Sequence, residues 1–351
     1  MATGALNDDR VIVSDQADGN TLYNKGYFGK PISGGGLELE LYEALHLQES
    51  NRLNIIDENR SALTRNEMMK KLVIQEPRMV VKYPVYSEMR SRGYILKDAS
   101  KPADFRVFPR GGGPGKSPSQ YWLVSKAETD KFSIEEFQAI SHRINQIKKQ
   151  LITGLLDEEG DVTYYDITTI DLKGTAKKFH LEQSIKGTVF GDKCYLDEDG
   201  IPLHEQGFFG HQYNGGLQLS LVETLFLIEE GALTVKNGKT AKTMEQDTLW
   251  KYADDIQKDF PLRYAIYKDL RNRKMIPKTG FKYGTAFRSY VGNPDEYHAE
   301  FMIQPVEPEF TCSWYDVSRA VRVAHTVRKT FVFARNTKNG PVYLRIKRKT
   351  P

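Results

Sequence analysis

The chain has 351 residues, enough for two to four domains, and its 39% hydrophobic content is sufficient for ordinary packed cores. It has no apolar run near the roughly 18 residues that span a bilayer and no signal-peptide core, which excludes a membrane or secreted protein, so a soluble, cytoplasmic protein is expected. Cys194 and Cys312 are the two cysteines, which excludes a disulfide framework or a zinc knuckle, and the formal net charge of +4 is modest.

The first residues predict a small α/β lobe that ends at Asp98. Periodic patterns of apolar residues predict, in chain order, strands at 11–13 and 22–23 and helices at 37–48, 64–71 and 77–93. The second of these helices begins with a capping box formed by Thr64 and Glu67.

Residues 99–175 predict a second α/β unit. Its elements are strands at 105–108 and 121–125, a helix at 133–146, and strands at 151–156 and 162–167. The Gly- and Pro-rich loop at 111–119 contains Gly115-Lys116-Ser117, but it lacks the upstream glycine of a P-loop and has strands on both sides. We therefore expect a hairpin loop there and no nucleotide site.

The second half of the chain repeats the first. Gly26-Tyr27-Phe28-Gly29 returns as Gly207-Phe208-Phe209-Gly210 and Tyr83 returns as Tyr264, both at an offset of 181 residues. The last unit predicts strands at 281–290, 300–305, 331–335 and 342–346 and a helix at 313–327. The expected organisation is four lobes, at 1–98, 99–175, 176–278 and 279–351. The fold class is α/β of the α+β type with mixed or antiparallel sheets, because the connections are too short for repeated parallel crossovers.

The two repeats differ at ionisable residues. Phe108, the end of Phe105-Arg106-Val107-Phe108, becomes Tyr290 in Phe287-Arg288-Ser289-Tyr290. Eight residues further on stands His298, which aligns with Ser119 of the first repeat. A shared scaffold that differs at such a pair indicates one structural repeat and one catalytic repeat.

The end of the chain is strongly basic. From Arg319 to Pro351 there are ten Lys or Arg residues and no Asp or Glu. Because this segment also predicts strands, the charge favours a folded surface for phosphates, with a solvated charged edge as the alternative.

Tyr290, His298 and Lys329 together suit RNA cleavage without a metal. The ribose 2′-hydroxyl attacks its own adjacent phosphate, so the protein must supply a base, an acid and a cation. Histidine, with an ordinary pKa of about 6.5, suits the acid, and lysine suits the cation. A tyrosine base has an ordinary pKa of about 10 and needs neighbouring cations. Taken singly, each of these residue types is more often structural or simply exposed.

These residues also carry a resemblance. The runs Phe281–Tyr290 and Val321–Lys329, with His298 between them, resemble the catalytic core of archaeal tRNA-splicing endonucleases, and the resemblance extends through both repeats. It is to the homodimeric type, whose subunit joins a degenerate and an active copy. The resemblance implies that Tyr290, His298 and Lys329 form a catalytic triad. It further implies metal-independent excision of introns from precursor tRNA at bulge-helix-bulge splice sites, giving 2′,3′-cyclic phosphate and 5′-hydroxyl ends, with no cofactor.

The resemblance also implies a base clamp. The family uses two arginines that stack on a flipped-out bulge base. The first falls on Arg322 and the second on Arg345, with an ambiguity of one residue. The guanidinium plane suits this role because it stacks on any base. His325, in the same predicted helix, is expected to be a packing residue.

An acidic turn lies in the inactive repeat, formed by Asp157, Glu158, Glu159, Gly160 and Asp161. By default this turn is a solvated hairpin tip. In the family that the chain resembles, the corresponding loop enters a basic pocket of the partner subunit, so the resemblance implies a role in dimer assembly. Whether the contact is made within or between subunits stays open at this point.

The residues leave two other functions open. Pro294-Asp295, Glu300 and Met302 partly match the pattern of metal-dependent nucleases, but the terminal lysine of that pattern is replaced by Met302. A non-catalytic protein that binds structured RNA is the other alternative. A 2′-deoxy substitution at the cut site separates the three, because the splicing endonuclease requires the 2′-hydroxyl, a metal nuclease does not, and a binding protein cuts neither RNA.

Overall fold

The structure, a computed structural model, describes residues 1–177, 179, 181 and 183–351. The first lobe is one sheet covered by helices. Its elements are β1 (Ala2–Asn7), β2 (Arg10–Val13), α1 (Gln16–Gly26), β3 (Lys30–Pro31), β4 (Leu37–Glu40), α2 (Leu41–Glu49), β5 (Leu53–Ile56) and α3 (Arg65–Gln75). The strand order is β3-β4-β2-β1-β5, in which β1 and β5 pair in parallel.

Two predictions in this lobe are wrong. Residues 22–23 lie inside α1, whose N-cap Asp15 accepts a hydrogen bond from the Asp18 amide. Residues 37–40 form β4 rather than the first turn of a helix, because the two leucines are buried and the two glutamates half-buried, which is the period-two pattern of a strand. The predicted capping box of Thr64 and Glu67 is confirmed.

The second lobe follows. We call this lobe and its repeat the nuclease-like lobes, because the segments that resemble a nuclease core lie in the repeat. Its elements are α4 (Met79–Ser91), β6 (Ile95–Asp98), β7 (Phe105–Phe108), β8 (Tyr121–Ala127), β9 (Lys131–Ser133), α5 (Ile134–Gln146), β10 (Gln150–Leu156) and β11 (Val162–Ile170). The antiparallel strands β7 and β8 are joined by the Gly- and Pro-rich loop, which is a hairpin loop as predicted.

The second repeat has the same order of elements with one additional strand, Thr243–Met244. Its first lobe contains β12 (Ile185–Phe190), β13 (Lys193–Leu196), α6 (Ile201–Gly207), β14 (His211–Tyr213), β15 (Gly216–Ser220), α7 (Leu221–Glu229), β16 (Leu233–Asn237), β17 (Thr243–Met244) and α8 (Gln246–Ile256). Its nuclease-like lobe contains α9 (Phe260–Asn272), β18 (Ile276–Thr279), β19 (Phe287–Tyr290), β20 (Phe301–Val306), β21 (Thr311–Ser313), α10 (Trp314–Thr326), β22 (Thr330–Arg335) and β23 (Val342–Lys349). The predicted strand at 281–290 is shorter, because Phe281–Tyr283 form a 3-10 turn.

The two nuclease-like lobes share one sheet. Strand β11 pairs antiparallel with β23, with Ile167 opposite Ile346. Among the described residues this makes a ten-stranded sheet in the order β18-β19-β20-β22-β23-β11-β10-β8-β7-β6. The parallel pairs β8–β10 and β20–β22 make the sheet mixed and confirm the α+β class. Strands β6 and β18 also belong to this sheet, although they lie before the boundaries at 99 and 279 that the sequence predicts.

A single core lies between this sheet and the helices α5 and α10. Trp314 of α10 packs edge-on against Phe132 and Phe137 of the first repeat, with ring centroids 5.2 and 5.1 Å apart. The hydroxyls of Tyr165 on β11 and Ser318 on α10 share a hydrogen bond of 2.8 Å. The helix of the second repeat is therefore fixed against the first. Within the described residues, no helix is long and apolar enough to cross a membrane.

Candidate active site

In the second repeat, the end of one strand of the large sheet lies beside the starts of the next two strands. The Glu300 amide donates to the Ser289 carbonyl at 3.1 Å, and the Thr330 amide donates to the Glu300 carbonyl at 2.8 Å. These bonds link the end of β19 to the starts of β20 and β22. The three candidates stand next to this ladder in the sequence, at positions 290, 298 and 329. Because neighbouring strands lie about 4.8 Å apart, their backbones share one edge of the sheet.

Tyr290 is held in a small apolar cluster. Its side chain is only 8% exposed and packs with Ile276 and Ala299. Phe208 of the preceding lobe packs against this cluster. The guanidinium of Arg288 lies 5.8 Å from the centre of the Tyr290 ring. The phenol is thus fixed by packing, and a cation lies near its ring.

His298 and Lys329 are more accessible. His298 is exposed, and it directly precedes the buried Ala299 at the end of a turn in which the Tyr297 amide donates to the Asn293 carbonyl at 2.9 Å. Lys329 is half-buried. Its ammonium donates to the Val327 carbonyl at 3.3 Å and lies 5.5 Å from the ring centre of Tyr283. The imidazole of His298 is thus open to solvent and the ammonium of Lys329 partly so, whereas the phenol of Tyr290 is buried.

A half-buried lysine, Lys278, links the preceding lobe to this edge. Lys278 donates to the carbonyls of Phe208 and Gly210 at 2.7 and 2.6 Å, and its ammonium lies 3.8 Å from Glu223. Burial lowers the pKa of Lys278, and Glu223 partly offsets this effect. Neither Lys278 nor Phe208 is among the site residues predicted from the sequence. Their repeats Lys97 and Tyr27, both at an offset of 181 residues, were the available signal.

The first repeat has the same edge with other side chains. Phe108 stands at the end of β7, and the Lys149 amide donates to the Ile144 carbonyl at 3.1 Å, as the Lys329 amide does to that of Ala324 at 2.8 Å. The Gln120 amide bonds the Val107 carbonyl at 2.7 Å, as that of Glu300 bonds Ser289.

Hydrogen bonding corrects one detail of the alignment between the repeats. Because Gln120 is the counterpart of Glu300, the residue two positions before it, Pro118, is the counterpart of His298 in place of Ser119. The first repeat therefore retains the lysine at this edge and has neither the phenol nor the imidazole.

The two arginines expected to form a base clamp lie on different faces of the sheet. Arg322 is an exposed residue of α10. On β23, Leu344 and Ile346 are buried in the core beneath α10, so Arg345 points to the opposite face, where it bonds Asp166 at 3.0 Å. Alternation returns Arg348 to the face of α10.

Arg348 is also exposed. Because Phe331 pairs with Ile346, the same register continued by two residues places Arg348 at the level of Lys329. The structure does not bring Arg322 and Arg345 together on one face. His325, expected to be a packing residue, is exposed, because α10 turns this side away from the sheet.

The acidic turn faces α10 of the same chain. A cavity of about 490 Å³ is lined by Asp157, Glu158 and Glu159 on one side and by Arg319 and Arg322 on the other. Asp157 also stabilises its own turn, since its side chain accepts hydrogen bonds from the amides of Glu159 and Asp161 at 3.1 and 2.9 Å. The turn thus lies beside basic residues of the second repeat.

In the part of the chain that the structure describes, no group of three His, Cys, Asp or Glu side chains is arranged to hold a metal ion. Met302, which stands where the pattern of metal-dependent nucleases has a lysine, is buried in β20.

Comparison with known proteins gives one consistent result. The family described as tRNA intron endonuclease, catalytic C-terminal domain, matches residues 79–164 and 260–344, and its N-terminal domain matches residues 2–69 and 185–250. The chain is 35% identical over 349 residues to a tRNA-splicing endonuclease of Methanococcoides burtonii, covering 97% of each chain. It is 33% identical over 349 residues to that of Methanosarcina acetivorans, covering 98% of each chain.

Proposed function

Because the chain belongs to the tRNA intron endonuclease family, as an endoribonuclease of tRNA splicing, we propose that it cuts precursor tRNA at bulge-helix-bulge splice sites. Each cut leaves a 2′,3′-cyclic phosphate and a 5′-hydroxyl. The observation that supports this proposal is the hydrogen-bonded edge of β19, β20 and β22, which Tyr290, His298 and Lys329 adjoin along the chain.

Each residue has one task in the proposed reaction. Tyr290 takes the proton of the ribose 2′-hydroxyl, whose oxygen then attacks the adjacent phosphorus. His298 protonates the departing 5′-oxygen, and Lys329 offsets the charge on the non-bridging oxygens. Because the nucleophile belongs to the substrate, the positions of these three groups supply most of the catalysis. The guanidinium of Arg288 lies 5.8 Å from the centre of the Tyr290 ring.

We propose that Arg322 and Arg348 form the base clamp, in place of Arg322 and Arg345. Arg345 is engaged with Asp166 on the far face of the sheet, whereas Arg348 is exposed on the face of α10. Two guanidinium planes on one face are able to enclose a flipped base between them.

The active assembly is proposed to be a homodimer. Each chain has one edge with the proposed catalytic residues, and removal of an intron needs two cuts. The acidic turn, with Asp157, Glu158, Glu159 and Asp161, is proposed to stabilise this dimer through a basic surface of the partner subunit. Its position beside Arg319 and Arg322 of its own chain supports an affinity for that kind of surface.

The test uses precursor tRNA with and without a 2′-deoxy substitution at each cut site, in EDTA. We expect cleavage of the unmodified RNA in EDTA and none at the modified sites. Activity that disappears in EDTA and returns with Mg²⁺, with the RNA fold shown to be intact, contradicts the proposal. Binding without cleavage of either RNA would favour a non-catalytic protein that binds structured RNA.

A further inference from the structure

The sheet of the third lobe has an exposed face with an unusual row of residues. Strands β16, β12, β13, β15 and β14 are neighbours, and one residue of each stands in a straight cross-strand line. We call these residues the exposed row: Lys236, Thr188, Tyr195, Gln218 and His211. Their side chains are exposed or half-exposed, whereas the alternating residues Val189, Cys194 and Leu219 are buried.

Aromatic rings and lysines surround this row. Tyr195 is 39% exposed, and its ring centre lies 6.3 Å from that of Phe190, which is 51% exposed. Tyr213, on the edge strand β14, is 55% exposed. Lys186 is exposed on the same face of β12, two residues before Thr188. Large exposed rings beside cations are costly for a surface that contacts only water, and they match what nucleic-acid bases and phosphates require.

The first repeat provides a matched comparison. The equivalent positions on β5, β1, β2, β4 and β3 also stand in register and carry Ile56, Ala5, Ile12, Glu38 and Lys30. This row has no aromatic residue and contains one carboxylate. The scaffold is the same in both repeats, so folding alone does not require the aromatic and basic residues of the second.

The exposed row also begins beside the catalytic edge. Phe208 packs against the cluster that contains Tyr290, and His211 follows three residues later at one end of the row. From His211 to Lys236 the row crosses four strand spacings, about 19 Å in all. A row of this length, whose end lies three residues along the chain from Phe208, suits a short strand of RNA that leaves the cleavage site.

We propose that this face binds a single-stranded segment of the precursor tRNA that leaves the cleavage site. Tyr195 and Phe190 stack on bases, and Lys186 and Lys236 contact phosphates. Stacking accepts any base, so the face adds affinity without sequence preference. This proposal rests on the proposed function, because it takes precursor tRNA as the ligand.

The experiment measures binding of the full chain to a precursor tRNA with 2′-deoxy substitutions at both cut sites, so that cleavage plays no part. Tyr195→Ala should weaken binding about fivefold or more, which corresponds to the lower limit of one stacked base. Tyr195→Phe should retain the affinity. The double variant Lys186→Ala, Lys236→Ala should reduce the slope of log Kd against log salt by about 1.4, since each phosphate contact on a single strand contributes about 0.7.

Ile12→Ala is the matched control, because Ile12 holds the position of Tyr195 in the first repeat. It should leave the affinity and the salt slope unchanged. The melting temperature of each variant shows that it is folded.

Wild-type affinity of Tyr195→Ala together with a wild-type salt slope of the double lysine variant would overturn the proposal, and so would a change in dimer formation without a change in RNA binding. If the unmodified chain neither binds nor cuts precursor tRNA, the proposed function itself fails. If the unmodified chain cuts precursor tRNA but Tyr195→Ala and the double lysine variant bind it normally, only the proposal about this face fails.

Discussion

In the first repeat, Lys97 bonds the Gly29 carbonyl at 3.0 Å and Glu43 at 2.9 Å, and in the second, Lys278 bonds the carbonyls of Phe208 and Gly210 beside Glu223. Both repeats thus join their two lobes with a half-buried lysine and a buried glutamate. They differ at the nearby strand ends, where the first has Phe108 and the second has Tyr290. The comparison teaches that the duplication kept the packing that positions a site and changed the groups that perform chemistry.

The largest test of this comparison is to remove the proposed acid. His298→Ala should lower single-turnover cleavage by about 10²–10⁴-fold, because the leaving oxygen loses its proton donor, while RNA binding stays nearly unchanged. Tyr290→Phe, which copies Phe108, should behave in the same way. Pro118→Ala, at the counterpart of His298 in the first repeat, is the control and should have no effect. Wild-type cleavage by Tyr290→Phe would show that the phenol is not the base.

The second test breaks the lysine tie in each repeat. Lys97→Met and Lys278→Met should both destabilise the chain by about 3 kcal/mol or more, since each leaves a buried carboxylate without its cationic partner. Only Lys278→Met should also lower kcat, by about tenfold or more with little change in KM, because a shift of Phe208 displaces Tyr290. The measurement is cleavage at a temperature where both variants are folded. An equal loss of activity in both would mean that Lys278 acts through overall stability alone.

The interaction between Lys278 and Glu223 also predicts that the stability of the chain depends on pH. Burial favours the neutral form of Glu223, but Lys278 and hydrogen bonds from Ser220 and Gly210 outweigh it, so the pKa of Glu223 is below its ordinary value of 4.5. A pKa that is lower in the folded state contributes stability above the unfolded pKa and loses it as pH falls through the folded value. Unfolding by urea should therefore become easier below about pH 4.5. Glu223→Gln should lessen that change, and an unaltered pH profile would contradict the assignment.

A third test concerns the base clamp. Arg322→Ala should weaken capture of a bulged RNA by about 1–3 kcal/mol if stacking dominates. Arg322→Lys should restore little, because an ammonium has no plane to stack. Arg348→Ala should have a comparable effect and Arg345→Ala a smaller one on RNA binding. Full rescue by lysine at position 322 would reduce the contact to simple charge.

The smallest expected effect comes from the acidic turn. Changing Asp157, Glu158, Glu159 and Asp161 to Asn or Gln should weaken the proposed dimer and lower two-site cleavage together. High salt should have the same effect on the unmodified chain, since it screens exposed charges. Sedimentation at nanomolar concentration gives the oligomeric state. A neutralised chain that remains dimeric and excises introns normally leaves the turn as a solvated hairpin tip.

Much of this molecule was open to prediction from local patterns. The duplication, the strands and helices of the nuclease-like lobes, and the change from Phe108 to Tyr290 are all visible in the order of residues. Side-chain periodicity and residue chemistry are properties of short segments, so they can be recognised in the sequence alone. The same locality explains the error at residues 37–40, where leucines that also suit a helix form a strand because the sheet buries them.

The tertiary structure alone decided how these parts meet. The pairing of β11 with β23 joins residues about 180 positions apart, and such a contact leaves no periodic signal in either strand. The register of β23 decides that Arg345 faces Asp166 and Arg348 faces the side of α10, since a shift of one residue exchanges the two faces. The sequence determined which groups are available for chemistry, whereas strand register and the packing of helices on the sheet determined which of them share a site.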